Sequence, residues 1–146
     1  MGHLANLDPN TKDSQWDLIY KIAAAVRSLV TGGSAGSNSS SSSTSLESSK
    51  VVSGAVRGFS VSGMNTSASD QYIMVFDSAT VPANGTVTPV AVLLASAGYQ
   101  FSFNWNGGRS FSNGIAVCNS TTLVSGGNVT KTIGSADCLF DINYRT

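Results

Sequence analysis

The sequence is poor in the residues that carry out chemistry. It has one histidine, His3, so the rest of the chain lacks the usual general base and the usual imidazole metal ligand. Its many serines have no histidine partner beyond His3, which leaves nothing else to activate a serine nucleophile. Charge is scarce: charged residues make up 11%, with eight acids against eight bases. No basic field exists to hold a polyphosphate backbone, and no phosphate-cradling G-x-x-x-x-G-K-[ST] loop occurs, so nucleic acid is not an expected partner. The two cysteines, Cys118 and Cys138, lack the C-x-x-C spacing of zinc or redox sites. They read as buried thiols, with a disulfide left open if their strands are neighbours. Asp137 and Asp141 fall on one face of the last strand, as a cation site or a glycosidase pair requires. A solvated strand face is the plainer reading of that spacing. These scarcities predict a non-enzyme, with no catalytic residues, no metal and no cofactor.

Long apolar runs are also missing. The longest helical apolar stretch, Trp16 to Val30, is interrupted by Asp17, Lys21 and Arg27, so it does not read as a membrane span. Met1 to Asn10 has neither a basic start nor an apolar core, so no export leader is expected and synthesis in a cytoplasm is. Five N-x-[ST] sequons, at Asn38, Asn65, Asn84, Asn119 and Asn128, are expected by chance in a chain where Ser and Thr make roughly a quarter of all residues.

What is present falls into three segments. Residues 1–31 read as a lead-in and one helix. Asp8-Pro9-Asn10 is turn chemistry, and Ser14-x-x-Asp17 resembles a capping box. Trp16, Ile19, Tyr20 and Ala23 recur at helical spacing, and a second stripe holds Leu18, Ile22, Val26 and Leu29. A helix apolar on two sides does not remain in water. Each large side chain it buries contributes about 1.5–3 kcal/mol. Its cover is either the chain's own β domain or a partner. Trp16, Leu18, Ile19, Ile22, Val26 and Leu29 are the candidate docking residues.

Residues 32–49, rich in Ser and Gly, have almost nothing to bury and read as a flexible linker. That separation favours docking over folding back. Residues 50–146 read as β throughout. Val51 to Met64 forms one run, with Ala55, Arg57, Phe59 and Val61 on one side. Gln71 to Asp77 is apolar on both faces and reads as a central strand. Pro89 suggests an edge or a bulge in Val87 to Ala95. Tyr99, Phe101, Phe103 and Trp105 alternate with polar residues, and Asn106-Gly-Gly-Arg109 reads as the turn that follows. As a core row, these rings would put Phe101 and Phe103 inside. Trp105 and Arg109, at the turn, are candidate surface-contact residues. Ile115 to Cys118 and Asp137 to Tyr144 complete the set, with Cys138, Phe140, Ile142 and Tyr144 on one face. The expected fold is mostly β: an antiparallel β-sandwich or jelly-roll domain preceded by one N-terminal α-helix and a Ser-rich tether.

Several stretches resemble small β domains of tailed-bacteriophage virion proteins. They are Gln71-Tyr72-Ile73 with Phe76-Asp77, Pro82-Ala-Asn84-Gly85, and Arg109-Ser-Phe111-Ser-Asn-Gly114-Ile115. Cys118-Asn-Ser-Thr, Lys131-Thr-Ile-Gly-Ser-Ala-Asp137-Cys138 and Phe140-Asp141-Ile142 complete them. The resemblance spans about half of the chain and implies a jelly-roll-like, often trimeric, structural protein of the virion. Capsid decoration or cement on the phage head is the leading expectation, with a head fibre as a variant. The partner is then the major capsid protein or another virion protein. A receptor- or carbohydrate-binding module on a tail fibre or baseplate is the alternative.

Overall fold

A computed structural model of the chain describes residues 38–146. The expected helix and its docking residues Trp16, Leu18, Ile19, Ile22, Val26 and Leu29 lie outside the described residues.

Among the described residues there are eleven strands and no helix. Eight strands build two four-stranded antiparallel sheets. The first has the order β1 (Asn38–Ser42), β11 (Cys138–Arg145), β3 (Val56–Asn65), β7 (Gln100–Phe111). The second has the order β2 (Ser49–Ser53), β8 (Gly114–Ser120), β4 (Gln71–Asp77), β6 (Ala91–Ala95). Three short strands, β5 (Gly85–Thr86), β10 (Asn128–Lys131) and β9 (Val124–Ser125), make a third sheet. The chain pairs like a folded ribbon. β4 pairs with β6, β3 with β7, β2 with β8, and β1 with β11. Rolling that ribbon brings β11 beside β3 and β8 beside β4. The result is a β-sandwich.

The inner faces of the two large sheets share one core. Val61, Phe101, Phe111, Phe140 and Ile142 from the first sheet meet Val52, Ile73, Val75, Ile115 and Val117 from the second. The second sheet is also covered on its outer face. There Met74, Phe76, Ala116 and Cys118 pack under Val87, Leu123 and Val129. This explains why all seven residues of β8 are buried and why β4 is apolar on both faces, as expected of a central strand.

The serine run expected as a tether departs from that reading. Residues 38–42 pair with the outer edge of β11 from Asp141 to Arg145, Asn38 opposite Arg145 through Ser42 opposite Asp141. Ser42 donates to the Asp141 carboxylate, Ser43 Oγ accepts from the Phe140 amide at 2.9 Å, and Glu47 bridges Cys138. Serine side chains bury little, so composition shows no strand here. The driving force is the open edge of β11, whose backbone groups need partners. The β unit therefore begins before the boundary expected at Lys50.

Two further expectations are corrected. Val51 to Met64 is not one run: Gly54-Ala55 separates β2 from β3, with Gly54 at φ 89°, and the two strands join different sheets. Within β3 a bulge at Phe59 switches the inward positions from Val56 and Gly58 to Val61. Arg57 is consequently exposed while Val61 is fully buried. Asn106-Gly-Gly-Arg109 does not end its strand either. The register passes from Ser60 opposite Asn104 to Gly58 opposite Arg109. Trp105 to Gly108 thus bulge out against Phe59 alone, and β7 then resumes with the same partner. Gly107 and Gly108, at φ 78° and 81°, permit the excursion. Arg57 holds it by donating to the Gly107 carbonyl.

Candidate functional site

The aromatic row on β7 is graded rather than uniform. Tyr99 precedes the strand and is 70% exposed. Phe101 is in the core, with its ring 6.0 Å from that of Phe140. Phe103 and Trp105 are half-buried. Trp105 packs edge-on against Phe103 at 5.0 Å and against Phe111 at 5.3 Å, and so touches the core more firmly than a ring at a turn would. Arg109 is exposed and lies over the Phe111 ring, 5.9 Å from its centre. The structure thus brings Trp105 and Arg109 together through Phe111, which the sequence reading did not single out for contact.

Two more arginines share this end of the sheet. Arg57 on β3 stands directly opposite Arg145 on β11, and Ser110 on β7 stands opposite Arg57. Arg57 Nε donates to the Gly107 carbonyl at 3.0 Å. Arg145 donates to Asn38 Oδ1 from Nε at 3.1 Å and from Nη2 at 2.8 Å, with its guanidinium 5.6 Å from the centre of the Phe59 ring. Among the described residues, none of Arg57, Arg109 and Arg145 has a carboxylate partner; the ion pair there is Lys50 with Glu47 at 3.3 Å. A groove of about 440 Å³ runs here, lined by Arg57, Ser110, Ser112, Arg145 and Thr146 among others. Nothing in the sequence signals this cluster, because it depends on the register of three strands distant in the chain.

The third sheet carries the other unforeseen group. Lys131, at 2% exposure, is a buried cation. Its ammonium donates to Asn84 Oδ1 at 2.8 Å, and the same oxygen accepts from the Ile133 amide at 3.0 Å. Flanked by Thr130 and Thr132, Lys131 reads in sequence as an ordinary exposed strand residue.

The remaining candidates show their environments plainly. Asp137 precedes β11 and Asp141 lies within it. Four residues along an extended chain separate them by about 13 Å, beyond the roughly 5–9.5 Å that glycosidase carboxylates span. Asp141 is instead tied to Ser42 and to Asn143, whose Nδ2 donates to it at 2.9 Å. Cys118 and Cys138 are free and buried. They sit in different layers, Cys118 under the third sheet and Cys138 between the two large sheets. Desolvation pushes each thiol up to about 11, with Lys131 pulling Cys118 the other way. Such thiols stay protonated and unreactive at neutral pH. Among the described residues, no three His, Cys, Asp or Glu side chains gather as metal ligands.

No protein-family model matches this chain, and no curated protein matches its sequence. Among solved structures, it is similar to the coat protein of Tobacco streak virus. That likeness covers 75% of this chain and 85% of that chain, at 11% identity and a TM-score of 0.38. A likeness of that degree carries no argument about this chain's function.

Proposed function

We propose that this chain is a non-enzymatic structural protein of a virion, with capsid decoration or cement on a bacteriophage head as its specific role. The observation that carries the reading is the nested strand pairing, β4 with β6 outward to β1 with β11. This is the order of a jelly roll, an architecture used by capsid and lectin domains. The protonated, buried thiols and the widely spaced aspartates support a role without catalysis. The helix expected at residues 16–30 is the proposed grip, through Trp16, Leu18, Ile19, Ile22, Val26 and Leu29. Its partner is the major capsid protein or another virion protein, and the assembly is homo-oligomeric, a trimer in the leading case. Neither nucleic acid nor a membrane is a proposed partner.

The test is quantitative protein analysis of purified particles together with labelling by an antibody to the β domain. High copy number over the shell supports decoration. Absence from washed particles overturns the virion reading. A second reading, a receptor-binding module on a tail fibre or baseplate, is favoured by Trp105 and the exposed Arg109 around Phe111. Labelling confined to the tail, at few copies per particle, would establish that reading in place of the first.

A further inference from the structure

The arrangement of Arg57 and Arg145 is unusual on physical grounds. They are directly opposed across an antiparallel pair, where side chains start only about 5 Å apart and like charges repel. A strand pair normally relieves this with an acid on a neighbouring strand. Here the position across from Arg57 on the other side is Ser110. Each guanidinium is instead anchored by an uncharged acceptor, the Gly107 carbonyl for Arg57 and Asn38 Oδ1 for Arg145. Neutral acceptors fix the position of a guanidinium without cancelling its charge. They also leave each fork with unused N–H donors. Arg109, one residue from Ser110, adds a third positive charge at the edge of the sheet.

From this geometry we infer that the groove between β11, β3 and β7 binds an acidic sugar, a uronate or a sulfate ester, with Arg57 and Arg145 gripping its oxyanion. Both arginines line this one groove, and each guanidinium keeps N–H donors of the kind that carboxylate and sulfate oxygens accept. The groove's volume of about 440 Å³ falls within the range of small-ligand sites, ~300–1,000 Å³. A protein partner needs a broad surface, on the order of 800 Å² per side. Ser110 and Ser112 supply hydroxyls along the groove, which suits a ligand that carries hydroxyls beside its charge. The inference stands on the arginine geometry and not on the virion reading, so either can fail alone.

The experiment is a titration of the isotope-labelled full chain at low ionic strength, followed through the Arg57 and Arg145 side-chain Nε–H signals and the amides of Ser110 to Ser112. The probes are glucuronate, a sulfated monosaccharide, glucose, inorganic sulfate and a short oligoglutamate. Saturable shifts with glucuronate or the sulfated sugar, and none with glucose, are expected. Arg57→Gln and Arg145→Gln should each weaken binding about tenfold, as loss of a charge-assisted contact does. Arg109→Gln should weaken it less, and added salt should weaken it for all. Each Gln relieves a like-charge pair but gives up guanidinium hydrogen bonds, so the melting temperature of each variant is measured alongside, and a melt within a few degrees of the parent separates lost binding from lost fold. Absence of a saturable shift with any anion overturns the inference. So does undiminished binding in the double Gln variant, response to inorganic sulfate alone, or tighter binding of oligoglutamate than of glucuronate.

Discussion

Asn84→Ala tests how the buried cation at Lys131 is tolerated. Lys131 is 2% exposed, and Asn84 Oδ1 is the hydrogen-bond acceptor of its ammonium at 2.8 Å. Truncating Asn84 also strips the Ile133 amide of its acceptor at 3.0 Å. A hydrogen bond to a charged group contributes about 1.5–3 kcal/mol and a neutral one about 1 kcal/mol. Asn84 itself is exposed, so water replaces part of what is lost. The expected net cost is about 2–3 kcal/mol, which for a domain near this size lowers Tm by roughly 10 °C. Lys131→Met removes the charge and keeps the bulk, and such a replacement is near neutral or stabilising. In that background Asn84→Ala should cost only the neutral bond, about 1 kcal/mol. Urea unfolding of the four proteins at pH 7 yields the cycle, and the expected coupling is about 1–2 kcal/mol. An equal cost of Asn84→Ala in both backgrounds would show that Lys131 does not depend on Asn84. A loss of more than about 2 kcal/mol from Lys131→Met alone would show that the ammonium has a further role.

Three other outcomes follow from the packing. A chain beginning at Asn38 keeps every described strand, whereas one beginning at Lys50 loses β1 and exposes the β11 edge; the shorter chain should melt clearly lower in a calorimeter, and equal melts would mean the serine strand contributes nothing. Gly63→Ala places a Cβ 1.9 Å from the Leu139 carbonyl oxygen and 2.5 Å from the Phe101 ring, so it should cost more than about 3 kcal/mol in urea unfolding or yield insoluble protein. Both thiols are raised from 9.0 to about 11; below pH 9 they are protonated folded and unfolded alike, and between pH 9 and 11 only the unfolded chain ionises, so stability should fall across that window. Cys118→Ala and Cys138→Ala should each flatten that fall, and an unchanged pH profile in the double variant would remove the thiols as its cause.

Sequence patterns alone determined that β4, β7 and β11 are strands, because a period of two in β7 and β11 and the two-faced run of β4 leave no other burial solution. They also determined that Cys138, Phe140, Ile142 and Tyr144 share a face, and that no histidine-based chemistry exists beyond His3. Tertiary structure decided everything that depends on pairing between distant segments. The serine run is a strand only because β11 needs a partner, and backbone hydrogen bonding leaves no mark on side-chain composition. Asn106-Gly-Gly-Arg109 carries a turn's residues, yet it forms a bulge, because Arg57 holds the Gly107 carbonyl and returns the chain to the same partner. The Arg57–Arg145 opposition and the burial of Lys131 are products of register and layering. A one-residue slip in either strand would move those charges to other neighbours, and no local pattern fixes that choice.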